Sequence, residues 1–213
     1  MNYTEFLRQL QGTRRHLFST QDLLLMNRKA GVKTLQNQLS QWVKRGYILR
    51  LKRDLYELLE RGSETKTPVP DLVVANRLLE PSYVSCETAL SMFGAIPEVA
   101  LHMTSVTTKT SRVFRNVHGS FFYHSCQPKM FEGFHLMREG DYSVKMATPE
   151  KALVDYVYFK GREMDQWNFE EERLDPEFLG RLDWSKVRHW GRAYSKRCQR
   201  DIRELGRWYR AHP

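Results

Sequence analysis

The segment from Phe18 to Leu58 constrains the fold most, because two helix patterns and a hairpin pattern follow one another in it with few residues between them. Ser19 and Thr20 can cap a short helix whose first turn contains Asp22, since a negative charge complements the exposed N–H groups of a helix N-terminus. Gly31 closes the turn after that helix, and a longer helix begins near Val32. This order predicts a winged helix-turn-helix, a fold that most often reads DNA.

The longer helix has one apolar face and one polar face. Apolar residues recur at spacings of three and four, which places them on one buried side: Leu35, Leu39, Trp42 and Val43. The opposite side has Asn, Gln, Ser, Thr and Lys side chains, which are the types that contact base edges and phosphates in a major groove. We predict that the following residues bind DNA: Lys33, Thr34, Asn37, Ser40, Gln41 and Lys44. The alternative is that they form only the solvated face of a short helix.

A basic hairpin follows this helix. After Gly46 the chain reads YILRLKRDLYEL, which is two short runs of alternating apolar residues around a charged tip. In a winged helix-turn-helix such a hairpin lies where it touches backbone phosphates. Arg50, Lys52 and Arg53 are therefore also predicted to contact DNA.

The distribution of charge favours the same interpretation. The chain has 34 Lys and Arg residues against 25 Asp and Glu residues, which gives a net charge of +9. Residues 1–66 contain 13 basic and 6 acidic side chains, whereas residues 67–160 contain 9 of each. Positive charge concentrated on one segment raises affinity for a polyanion, because binding releases counterions. Double-stranded DNA is therefore the first partner that the sequence predicts.

Length and composition favour two modest domains. Residues 1–60 are predicted to form the winged helix-turn-helix, residues 61–70 (RGSETKTPVP) a polar linker, and residues 71–213 a second domain. The 3 cysteines are widely separated, which argues against a disulfide framework and fits a reducing cytoplasm. Since no signal peptide or membrane-spanning run is recognised, we expect a cytoplasmic protein without a membrane partner. The oligomeric state stays open, and a monomer that binds DNA cooperatively is one option.

The second domain has helix signals and strand signals in separate stretches. Helices are predicted over residues 71–79, over CETALSMF with Ser85 as its cap, and over the residues that follow Thr148. Alternating β-branched runs predict short strands, with a hairpin at Gly140. The predicted fold class is α+β: an N-terminal winged helix-turn-helix, then an α+β domain with a small, mostly antiparallel sheet and a C-terminal amphipathic helix over 184–210. The basic face of that helix is either solvated or a further surface for phosphates or an acidic partner.

Several segments together resemble a known family. They are GYILRLKRDLY (46–56), YVSCETALSMFGAIPE (83–98), SVTTK (105–109) and MATPEKALVDYVYF (146–159). In order and spacing they are similar to the marker segments of the AbiEi antitoxin family. The resemblance implies a transcriptional autorepressor of a type IV toxin–antitoxin system. Its winged domain would bind operator repeats, and its second domain would counteract a nucleotidyltransferase-type toxin. One departure is Asp54, which stands at the hairpin tip where the family commonly has Gly, and which adds a negative charge beside the phosphates.

The motifs of common catalytic sites are missing from the sequence. It has no Gly-rich phosphate loop, no GxSxG elbow and no HExxH. His124 and Cys126, with His118 and His135 nearby in sequence, could in principle ligate zinc, but scattered histidines on strands are more often ordinary polar or half-buried residues. We therefore expect neither an enzyme nor a bound cofactor or metal. The alternative function is a nucleic-acid-targeted processing or phage-defence-associated protein with unrecognised chemistry in its second domain.

Overall fold

A computed structural model of the chain describes Glu5 and residues 16–26, 31–59, 69–97, 101–164 and 166–212. In these residues the fold is mixed α+β, with eight α-helices, a three-stranded antiparallel sheet and a six-stranded mixed sheet. The chain divides into two compact units: the first comprises residues up to 71 together with 115–118, and the second comprises 72–114 together with 119–213. The predicted linker lies outside the described residues except for Val69 and Pro70.

The described part of the first unit contains two helices and the three-stranded sheet. Their bounds are β1 Leu17–Phe18, α1 Thr20–Met26, α2 Val32–Lys44, β2 Ile48–Lys52 and β3 Leu55–Leu58. Strand β3 is central and pairs with both β1 and β2. The two predicted helices and the predicted hairpin are confirmed as elements. Strand β1 is not evident from the sequence, because two residues are too few to show an alternating pattern.

Local signals determine where the helices of the first unit begin and end. Helix α1 begins at a capping box, in which the Ser19 hydroxyl accepts the Asp22 N–H at 3.1 Å and the Asp22 carboxylate accepts the Ser19 N–H at 2.7 Å. Helix α2 ends at Lys44, and Gly46, at a φ of +67°, turns the chain into β2. The apolar sides of these elements form one core, which includes Phe18, Leu23, Leu35, Leu39, Trp42 and Ile48.

The second unit combines six helices with the six-stranded sheet, although Asp71, at the start of one helix, and Arg115 and Asn116, at the end of one strand, belong to the first unit. The helices are α3 Asp71–Leu78, α4 Cys86–Met92, α5 Pro149–Lys160, α6 Pro176–Arg181, α7 Trp184–Gly191 and α8 Lys196–Ala211. The strands are β4 Ser82–Val84, β5 Met103–Thr107, β6 Arg112–Asn116, β7 Gly119–Ser125, β8 Phe134–Glu139 and β9 Tyr142–Ala147. One buried core unites residues of α4, α5, α7 and α8. No helix in the described ranges is both long and apolar enough to cross a membrane.

The sheet of the second unit is larger and more mixed than the small, mostly antiparallel sheet that the sequence predicts. Its order is β6-β7-β5-β4-β9-β8, in which β4 with β9 and β5 with β7 are parallel. The pairs β4 with β5 and β8 with β9 are antiparallel. The difference arises at β4, whose three residues between Pro81 and Ser85 give no alternating signal. Strand β4 inserts between β5 and β9 and so joins them into one sheet.

The prediction of a single C-terminal helix over 184–210 is wrong, because the segment forms two helices, α7 and α8, separated by four residues. The Asp183 carboxylate caps α7, and the Ser195 hydroxyl caps α8 by accepting the Cys198 N–H at 3.2 Å. Gly191 lets α8 approach α7 closely, since a Cβ there would lie 3.0 Å from Ile202 Cδ1. Helix α8 buries an apolar side that includes Cys198, Ile202 and Leu205, and its basic side chains are exposed.

Candidate functional site

The polar side of α2 is exposed along its whole length in the first unit. The residues predicted there to bind DNA all have exposed side chains: Lys33, Thr34, Asn37, Ser40, Gln41 and Lys44. Leu35, Leu39 and Trp42 are buried and hold the opposite side of the helix in the core. We call the exposed set the polar face. It presents a continuous row of donors, acceptors and ammonium groups, with no acidic side chain in it.

Ser40, a member of the polar face, already uses its hydroxyl proton in a hydrogen bond. The Ser40 hydroxyl donates to the Gln36 carbonyl at 2.9 Å, one turn earlier in the same helix. In this arrangement Ser40 can offer a ligand only its oxygen lone pairs. Asn37 carries both a donor and an acceptor on one planar amide, so it is the side chain best suited to pair with an adenine edge.

The hairpin that follows α2 has a two-residue turn at Arg53 and Asp54, since Lys52 pairs with Leu55. Arg50 and Arg53 are exposed, whereas Lys52 is half-buried. The register shifts between Arg50 and Lys52, which marks a bulge in β2. Two of the three hairpin side chains predicted to contact DNA are therefore exposed, and Lys52 is partly shielded from solvent.

Asp54 has a role in the hairpin tip that the sequence does not show. It adopts the left-handed conformation, with a φ of +66°, which Gly adopts most readily. Its Oδ1 accepts the Thr20 N–H at 3.0 Å, at the first residue of α1. The negative charge of Asp54 thus lies at the positive end of a helix, which compensates it. Its Oδ1 is therefore bonded to the start of α1, while the residue itself is exposed at the hairpin tip.

A second group of polar residues is buried in the second unit, around Asp155. The Asp155 carboxylate accepts hydrogen bonds from Ser85 Oγ at 2.7 Å, from Tyr83 Oη at 3.0 Å, and from Tyr194 Oη and Lys151 Nζ at 2.5 Å each. We call these five residues the Asp155 cluster. Asp155 is fully buried, and Lys151 is 1% exposed. Burial, and next the negative charge of Asp155, raise the pKa of Tyr83 and of Tyr194 far above their ordinary value, so both stay hydrogen-bond donors.

The Asp155 cluster corrects the role predicted for Ser85. Ser85 does precede α4, but its side chain makes no capping bond there, because the hydroxyl donates to Asp155. Thr104 of β5 supplies the cap instead, since its hydroxyl accepts the Thr88 N–H at 3.0 Å. The cluster is shielded from solvent. Its role is structural, because its hydrogen bonds connect β4, α5 and the segment before α8. The one signal in the sequence is the spacing of Lys151 and Asp155, four residues apart on a predicted helix.

In the described part of the chain, the residues considered for zinc do not form a set of metal ligands. No group of three or more His, Cys, Asp or Glu residues there could hold a metal ion. The His124 ring stacks on Phe159, with centroids 4.7 Å apart, and Cys126 is buried. Burial raises the pKa of the Cys126 thiol to about 11.

Comparison with protein-family models finds no match, and neither does comparison with curated proteins. Function is therefore inferred from the chemistry of the polar face, the hairpin and the second unit.

Proposed function

We propose that the first unit is a winged helix-turn-helix that binds double-stranded DNA, with α2 as the recognition helix and the β2–β3 hairpin as the wing. The observation that carries this proposal is the exposure of the whole polar face on a helix whose other side is anchored in the core. The order of elements supports it: helix, turn, helix, hairpin. Exposed Arg50 and Arg53 on the hairpin suit phosphate contacts.

We further propose that the chain is an AbiEi-type antitoxin, which represses its own operon through the first unit and counteracts a nucleotidyltransferase-type toxin through the second. The resemblance of the sequence segments to that family supports this proposal. The segments within the second unit are neighbours in space: 83–98 contains β4 and α4, 105–109 lies in β5, and 146–159 contains the end of β9 and most of α5. Strand β4 pairs with both β5 and β9. The three segments therefore share a structural role, because together they form the centre of the second unit.

The first prediction concerns base reading by Asn37. We expect Asn37→Ala to weaken binding to the DNA upstream of the chain's own gene by about 1–3 kcal/mol, because a bidentate contact to adenine is lost. Binding to a random duplex of the same length should change far less, since phosphate contacts carry no sequence information. Titration by fluorescence anisotropy at one fixed salt concentration measures both affinities.

Gln36→Ala is the matched control, because Gln36 is also an exposed amide on α2 but lies at the edge of the polar face. We expect it to leave both affinities within about twofold of wild type, as for most exposed substitutions. Equal losses on the upstream DNA and the random duplex would show that Asn37 does not read bases.

The Asn37→Ala variant also tests the division of labour in the full chain. Co-expressed with the neighbouring gene, it should lose repression of a reporter yet still rescue growth, because the substitution leaves the second unit intact. Loss of rescue together with repression, in a folded variant, would contradict the assignment of neutralisation to the second unit. Failure of the wild-type chain to rescue growth would contradict the antitoxin proposal. It would not contradict the DNA-binding proposal, which the anisotropy titrations test separately.

The second prediction concerns the hairpin. We expect Lys52→Ala combined with Arg53→Ala to reduce the slope of log affinity against log salt concentration by about 1–2, since about 0.9 is lost for each phosphate contact removed. The control is Lys109→Ala with Lys129→Ala, which removes the same charge from exposed positions of the second unit. If both double variants give the wild-type slope, the hairpin does not contact phosphates.

A further inference from the structure

The second unit contains a cavity of about 510 Å³ that the proposed DNA binding does not use. It lies among α4, β5, β7, α5 and the residues that precede α6, and it includes side chains of Glu87, Phe122, Tyr156, Lys160, Glu171 and Glu172. Its volume is within the range of sites that hold small molecules or single side chains. The cavity belongs entirely to the second unit.

The charge of the cavity favours a cation. Its walls carry the carboxylates of Glu87, Glu171 and Glu172 and the single ammonium of Lys160. Lys160 is already paired, since its Nζ lies 2.5 Å from Glu172 Oε2 and 2.9 Å from the Tyr156 hydroxyl. The Tyr156 hydroxyl also donates to Glu172. Within the described residues, Glu87 and Glu171 are in no ion pair, so the cavity repels anions and attracts positive charge.

Glu87 has an unfilled acceptor at this cavity. Its Oε2 is shielded from water and accepts no hydrogen bond from the described residues. A carboxylate oxygen withdrawn from water without a donor is costly, because its hydration is lost and nothing replaces it. A cation held in the cavity would offset part of that cost through its charge, without reaching Oε2 itself.

The remaining walls suit a planar cation on an apolar stem. The Phe122 ring lies 4.8 Å from the His102 ring. Tyr156 lines the same cavity, and Lys160 Nζ lies 5.2 Å from the centroid of its ring. Aromatic faces attract cations, and guanidinium groups most readily because they also stack. Ile96 and Leu101 add apolar surface for an aliphatic chain. A guanidinium fits both requirements, since it is a planar cation that stacks on an aromatic ring and directs its N–H groups outward to carboxylates.

We infer that this cavity, the Glu87 cavity, is a binding site for a guanidinium group carried on an aliphatic stem, with Glu87 as its principal counter-charge and Phe122 as its stacking wall. The group has two possible sources: a free alkyl guanidine, or an arginine side chain of a partner protein. Glu171, at the exposed rim, adds electrostatic attraction without a buried contact.

Isothermal titration calorimetry with the full chain tests the inference. The probes are agmatine, for a free guanidine, and N-acetylarginine methylamide, for a side chain within a protein. N-acetylcitrulline methylamide is the matched neutral control, because it replaces the guanidinium with a urea of nearly the same shape. We expect at least one guanidinium probe to bind and the citrulline compound to bind at least about tenfold more weakly. Binding by agmatine alone would assign the site to a free guanidine, and binding by the arginine compound would assign it to a partner's side chain.

Two variants locate the site. Glu87→Gln keeps the shape but removes the charge, and we expect it to weaken binding by about tenfold or more. Glu171→Gln is at an exposed position that folding does not depend on, and we expect a loss of about two- to fivefold. Glu177→Gln, whose side chain is 82% exposed, is the control and should bind as wild type does. The inference is overturned if neither guanidinium probe binds, if citrulline binds equally well, or if both cavity variants bind as wild type does.

Discussion

Substituting Asp155 with alanine is expected to lower the free energy of unfolding of the second unit by about 3–5 kcal/mol, the largest effect of any single substitution considered. The reason is that Lys151 is 1% exposed and its Nζ lies 2.5 Å from Asp155 Oδ1. Without the carboxylate, Lys151 stays buried without a counter-charge. Tyr83, Ser85 and Tyr194 lose their common acceptor at the same time.

Two further variants separate the charge from the hydrogen bonds. Asp155→Asn keeps an acceptor but removes the charge, so we expect it to be destabilised by a smaller amount than Asp155→Ala. Asp155→Leu combined with Lys151→Met removes both charges, and we expect it to recover much of the lost stability, because a buried ion pair and well-packed apolar residues are often of similar stability. A double variant as unstable as Asp155→Ala would show that the hydrogen bonds, and not the unpaired ammonium, cause the loss.

Urea unfolding of fluorotryptophan-labelled protein, followed by fluorine NMR, measures these effects unit by unit. Trp42 lies in the first unit, whereas Trp167, Trp184, Trp190 and Trp208 lie in the second. The signals of the second-unit tryptophans should shift to lower urea in Asp155→Ala. Glu177→Ala, at an exposed position, is the control and should change the free energy of unfolding by less than about 0.5 kcal/mol.

Elements with local signals could be predicted from the sequence. Helix α5 begins at Thr148 and Pro149 as its cap and first residue, and the β8–β9 hairpin turns at Gly140, as predicted. Strands β1 and β4 could not be predicted, because their pairing partners are remote: Leu17 lies opposite Glu57, and Val84 lies opposite Met146. Helix α6 could also have been predicted from the sequence, because Asp175 and Pro176 repeat the cap and proline pattern that begins α5.

The same distinction holds for the candidate sites. The polar face of α2 follows from the period of one helix, so its members could be named before the structure was known. The Asp155 cluster could not, because Ser85 and Tyr194 lie 70 and 39 residues from Asp155 along the chain. The contact of Asp54 with Thr20 spans 34 residues. The sequence therefore predicts an unfavourable negative charge at the hairpin tip, because it does not show that the Thr20 N–H binds this carboxylate.

A second large effect is expected from pH, through His118, whose imidazole lies between two carboxylates of the first unit. Its Nε2 lies 2.7 Å from Glu57 Oε2, and its Nδ1 lies 2.7 Å from Asp71 Oδ1. The side chains of His118 and Glu57 are 1% and 0% exposed. Burial lowers the pKa of His118, but the hydrogen bonds to Asp71 and Glu57 and their negative charges outweigh burial and raise the pKa from 6.5 to about 9.

The sign of the pH dependence follows from this shift. Because the pKa of His118 is higher in the folded unit than in the unfolded chain, its protonation stabilises the fold fully below about pH 6.5, and this stabilisation is lost as the pH rises through about 9. We expect the free energy of unfolding of the first unit to fall by about 2–3 kcal/mol between about pH 6 and about pH 10. The Trp42 fluorine signal reports it.

The comparison that isolates His118 is His118→Gln, because lysines and tyrosines also titrate at high pH. Neutral imidazole has a single N–H, so at high pH wild type can donate to only one of the two carboxylates. Either the buried Glu57 Oε2 or the half-exposed Asp71 then loses the imidazole as a donor. The stability advantage of wild type over His118→Gln should therefore be greatest below about pH 6.5 and should shrink above about pH 9. His135→Gln, at an exposed position of the second unit, should follow wild type at every pH. If wild type and His118→Gln lose stability in parallel as the pH rises, another group is responsible, and the imidazolium between Glu57 and Asp71 contributes nothing to the fold.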